Sequence, residues 1–198
     1  MVDAIEAADP EGAEPAAIEG PYLLNLDHET WDAHLDRAAS WLAHVITAQA
    51  AFRNALEIAV PKVEEPNIRQ FLSEILDRAR RHEEVAHRLP RTIGREVADG
   101  TRGLAGVAMD VARKALDAIE GVAGGAKGNW KDLHHLLMLN LDAMGAFAIA
   151  EQLGLALAHH ELRDLAFEVE AEKSTDQLIL KELMLEMAAV SILYGERV

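Results

Sequence analysis

Apolar residues recur every three or four positions along most of the chain after residue 28, the spacing of helices that bury one face. In "LDHETWDAHLDRAASWLAHVITAQAAFRNALEIAV" the positions Trp31, Leu35, Ala38, Trp41, Leu42, Val45, Phe52 and Leu56 predict a helix over 29–60. Asp27 or Thr30 can cap its start and Pro61 stops it. Pro66 suits the first turn of a second helix, which follows Ile68, Phe71, Leu72, Ile75, Ala79, Ala86 and Leu89 and should end near Pro90. A shorter Ala-rich helix is expected over 103–121, before a loop opened by Gly124 and Gly125. Asn129 then caps a helix predicted over 130–157, and a break at "AHH" leads into a last one over 160–194.

Short links make helices one and two antiparallel neighbours, and likewise the last two. Two such pairs joined by a long crossover, which carries an extra helix, describe an all-α, ferritin-like four-helix bundle. It should occupy residues 28–198. Residues 1–27, "MVDAIEAADPEGAEPAAIEGPYLLNLD", are acidic and have no basic stretch leading into an apolar one, so they read as a disordered tail and not as a signal peptide.

Composition narrows the function. Nineteen Lys and Arg against 34 Asp and Glu give a formal charge of −15, which repels nucleic acid and anionic lipid. The absence of cysteine removes disulfides, zinc–thiolate sites and thiol nucleophiles. No apolar run approaches the roughly 20 residues that span a bilayer, so the expectation is a cytoplasmic protein without a membrane partner.

Metal sites in helical bundles need carboxylates and imidazoles on the inward stripe, where they are otherwise costly. The segment "RRHEEVAHRLP" contains Glu84 and His87 at the Glu-x-x-His spacing, but Glu84 is turned far from its helix's apolar stripe and His87 sits at its rim. The inward residue there is His82, with Glu83 nearby. In the last helix Asp176 lies near the centre of the stripe set by Val169, Leu180 and Met187, flanked by Glu172 and Lys173. Asn140 and Glu151 fall on the third stripe and Gln49 on the first. Ionisable groups so placed need a metal, each other, or a buried network.

The segments "TAQAAFRNAL" (47–56), "AEQLG" (150–154) and "EAEKSTDQL" (170–178) resemble the bacterial stress-associated ferritin-like proteins of the YciE/YciF type, over about 45–185. The resemblance implies a first-helix Glu where this chain has Gln49. It also implies a second-helix His or Gln at His82, with a carboxylate one turn earlier where Arg78 stands. Two third-helix Glu positions fall on Asn140 and Ala143, while the fourth-helix carboxylates persist as Glu172 and Asp176. These departures trade charge for neutral or cationic groups at metal-ligand positions. One reading is a non-catalytic, homodimeric binding or assembly protein without a cofactor, in which Arg78 and Lys173 neutralise Glu172 and Asp176, and Gln49, Asn140 and His82 complete a buried network. The other is a divergent iron- or manganese-dependent oxidoreductase using His82, Glu172 and Asp176, with Glu83 or Glu151. A small-molecule pocket in the bundle core is a third. Helix facing predicts a contact between Arg78 and Asp176.

Overall fold

The computed structural model describes residues 27–97 and 129–194. Four long helices account for nearly all of them: α1 (His28–Ala59), α2 (Pro66–Thr92), α3 (Asn129–Ala156) and α4 (His160–Ala189). The expected crossover helix over 103–121, the loop at Gly124 and Gly125, and the acidic tail apart from Asp27 lie outside the described residues.

Local chemistry sets the ends of these helices. The Asp27 carboxylate accepts from Thr30 N at 2.7 Å, satisfying one of the free N–H groups that begin α1. Pro61 ends that helix in a short 3-10 turn, Val60–Lys62. Glu65 caps α2, accepting from Ile68 N at 2.6 Å, with Pro66 in the first turn. α2 runs past its expected end at Pro90 to Thr92. A proline in the last turn deletes one backbone bond without a long helix beyond it to disrupt. The turn between α3 and α4 is tight because Gly154 lies against the next helix: a Cβ there would meet Arg163 N at 2.6 Å. Ala158 takes a positive φ of 55° in the same turn. α4 gives way to a π-helical turn, Val190–Tyr194, so its α-helical part is shorter than the expected 160–194.

Side-chain contacts fix the arrangement. Trp41 Nε1 donates to Ala146 O, and Lys62 reaches Asp132 at 4.0 Å, so α1 runs antiparallel to α3. Arg78 meets Asp176 and His82 meets Glu172, making α2 antiparallel to α4. Arg95 beyond α2 pairs with Asp32 and Asp36 near the start of α1. The end of α2 and the start of α3 therefore lie at opposite ends of the bundle. The all-helical, four-helix class is established among the described residues.

The core falls into two apolar clusters along the bundle axis. One gathers Leu35, Leu42, Val45, Leu89, Phe147 and Leu162. The other gathers Phe52, Leu56, Leu72, Ile75, Leu136 and Leu180. Two apolar expectations need correction. Phe71 is 44 % exposed, beside the α2 stripe and not on it. The stretch Trp130–Ala156 is long and apolar enough in length and composition to cross a membrane. Asp142 and Glu151 interrupt it, which is why a search for an unbroken run passes over it; here it packs between α1 and α4.

Candidate functional site: a polar layer through the bundle core

Between the two apolar clusters each helix contributes a buried polar side chain: Gln49 from α1, His82 from α2, Asn140 from α3, and Lys173 and Asp176 from α4. The sequence stripes foretell all five, because each sits on the inward angle of its helix. Their hydrogen bonds link the helices. Gln49 Nε2 donates to Ala79 O at 2.8 Å, tying α1 to α2. Asn140 Nδ2 donates to Lys173 O at 3.0 Å and to Gln177 Oε1 at 2.9 Å, tying α3 to α4.

Arg78 places both Nε (2.8 Å) and Nη2 (2.7 Å) on the same oxygen, Asp176 Oδ1. The contact expected from helix facing is present. Asp176 is fully buried while the Arg78 side chain stays 24 % exposed, so the cation keeps one side in water. Burial pushes the Asp176 carboxyl above the usual carboxylate range; the Arg78 hydrogen bond and charge offset part of that rise.

Lys173 departs from its expected role. Its side chain is fully buried, and among the described residues it makes no ion pair with Glu172 or Asp176. The ammonium donates to Asn140 Oδ1 at 3.3 Å and stands 4.4 Å above the centre of the Phe52 ring. Burial lowers its pKa to about 7, against the pull of the Asp176 charge.

Glu172 is also corrected. Its side chain is 51 % exposed, and it reaches from the rim to His82 Nε2 at 2.9 Å and to Arg81 at 3.7 Å. The inward angle locates its helix position, but a side chain at the edge of a stripe can turn to water when a partner waits there. Burial lowers the His82 pKa to about 4, opposed by the Glu172 hydrogen bond. The neutral ring then carries its proton on Nε2, facing the carboxylate, and leaves Nδ1 a bare acceptor. Among the described residues three buried atoms of the layer lack hydrogen-bond partners: Gln49 Oε1, His82 Nδ1 and Asp176 Oδ2.

Glu83 lies outside the layer, holding Arg53 at 2.6 Å, and Glu151 is half-buried on α3 away from it. Glu84 and His87 are both exposed. Gln177 and Arg81 join the network without having been singled out in the sequence. Gln177 is ordinary in type, and Arg81 is adjacent in sequence to the inward His82.

These residues do not fit a two-metal centre. Among the described residues the one fully buried carboxylate has an oxygen that accepts two hydrogen bonds from a guanidinium, a buried ammonium lies one turn away, and the second carboxylate faces outward. Among the described residues no three His, Cys, Asp or Glu side chains gather in a metal-holding group. The chain matches no family model, no curated protein and no solved structure.

Proposed function

We propose that this protein is a ferritin-like, stress-associated bundle in which cationic and amide side chains have replaced a two-metal centre, and that it acts by binding and assembly, not catalysis. The observation that carries the reading is the Arg78–Asp176 pair: a guanidinium occupies the space beside the buried carboxylate where a metal ion would sit. Support also comes from topology. Two antiparallel pairs, with α2 leaving one end of the bundle and α3 starting at the other, suit a ferritin-like long crossover. The resemblance of "EAEKSTDQL" to the YciE/YciF type adds the stress association, and a cytoplasmic homodimer is the form proposed.

A second reading, an iron- or manganese-dependent oxidoreductase, draws on the free lone pairs of His82 Nδ1 and Asp176 Oδ2. One experiment separates the two. The protein is produced with supplemented iron and manganese, and its metal content is measured by elemental analysis beside that of Asp176→Ala. The expected result is far less than one metal per chain in both. Stoichiometric metal that disappears in Asp176→Ala would overturn the proposal in favour of the oxidoreductase.

A further inference from the structure

We propose that the outward face of α3 is the contact surface for a second copy of this chain, paired two-fold about Gly145. The inference deepens the assembly reading above and rests on it only for there being a homo-oligomer.

Between Leu133 and Leu157 α3 carries two charged residues, Asp142 and Glu151. A helix that is apolar all round is expected to be covered all round. Among the described residues the neighbouring helices cover only the inner half, burying Leu133, Leu136, Ala143, Phe147 and Ala150. On the other side Met138, Leu141, Ile149 and Leu155 stay 41–46 % exposed. Gly145 lies in the middle of that side, with no atom within 4 Å of where its Cβ would stand.

The neighbouring helix extends the face. Leu178 follows Gln177, which bonds Asn140, so it lies within one residue's rise of Met138, and by the same antiparallel register Phe167 lies within one of Ile149. These two are 60 % and 54 % exposed. Six such side chains leave roughly 600 Å² of apolar surface, at the upper end for a monomer and most of the ~800 Å² per partner that a stable interface buries.

Charge selects the occupant. A chain of formal charge −15 repels its own copy over most of its surface, and between Leu133 and Leu155 this helix adds only Asp142 and Glu151 to that charge. A closed pair needs a self-complementary patch. Antiparallel pairing about Gly145 sets Leu141 against Ile149 of the second copy, Met138 against Gln152, and Asp142 against Ala148. Along α3 no carboxylate stands directly opposite a carboxylate, and glycine meets glycine where the two helix axes come closest.

The test is the mass of the full chain by light scattering at physiological salt. The wild type should show twice the 21.6 kDa chain mass. Ile149→Glu should halve that mass with its helical circular dichroism and melting cooperativity kept, while Ile58→Glu, exposed on α1, should leave it unchanged. Because the chain has no cysteine, Gly145→Cys supplies a second readout: mild oxidation should link two copies through that one thiol. A wild type of single-chain mass, or a dimer that survives both Ile149→Glu and Leu141→Glu without Gly145→Cys linkage, would overturn the proposal. A single-chain wild type that sediments with phosphatidylcholine vesicles would give the face to lipid instead. None of these readouts depends on metal content, so this proposal and the metal-loss reading can fail separately.

Discussion

The apolar ends of the bundle and its polar middle are built from the same four helices, yet they hold the molecule together differently. At the ends Leu42, Leu56, Leu72 and Phe147 contribute by leaving water, and any well-packed apolar set of similar volume would serve. In the middle every group is costly to bury, and the layer is tolerable only because its members hold one another. Removing a group from an end leaves a hole. Removing Arg78 from the middle leaves the buried Asp176 charge stranded.

Substitutions test that contrast, beginning with the largest effect. Phe147→Ala in an apolar end should lower stability by about 4 kcal/mol in urea denaturation, with little dependence on pH. Arg78→Met should cost about 3 kcal/mol at neutral pH, because the fully buried Asp176 loses its partner. The double change Arg78→Met with Asp176→Leu should recover most of that loss. A double variant as weak as the single one would mean that the ion pair contributes through packing alone.

Lys173→Met should stabilise the protein at neutral pH, on the order of 3 kcal/mol, since a buried ammonium is replaced by an apolar chain of similar length. The sign of its pH dependence follows from a folded pKa of about 7, below the unfolded 10.5. Between those values the unfolded chain binds the extra proton, so wild-type stability gains from this group as pH rises. The advantage of the methionine variant should therefore shrink between pH 7 and 10.5. His82 acts in the same sense lower down: its folded pKa of about 4 costs stability as pH falls from 6.5 towards 4, and His82→Gln should flatten that part of the urea-midpoint profile. The smallest effect is expected for Glu84→Gln with His87→Gln, within about 0.5 kcal/mol, because both side chains are exposed.

Much of the middle was legible in the sequence because polar residues on apolar stripes are conspicuous. Gln49, His82, Asn140, Lys173 and Asp176 all declare their burial by angle alone. What angle cannot give is the choice among partners within reach. Lys173 bonds Asn140 and lies over Phe52 instead of pairing with a carboxylate, and Glu172 turns outward to meet His82 from the rim. The outer side of α3 was missed for a related reason: periodicity marks what a helix can bury, not how much of it the neighbouring helices cover.

The hydrogen bond from Gln49 to the Ala79 carbonyl also acts as a vernier mark. Slide one helix by a single turn, about 5.4 Å, and leucine and alanine at the two ends still meet leucine and alanine. The amide of Gln49 would then face hydrocarbon, and so would that of Asn140 if its own helix moved. Of all the one-turn shifts available to four similar rods, the layer penalises each except the native one, so loosening it should yield a bundle that keeps its helices but no longer has a single alignment.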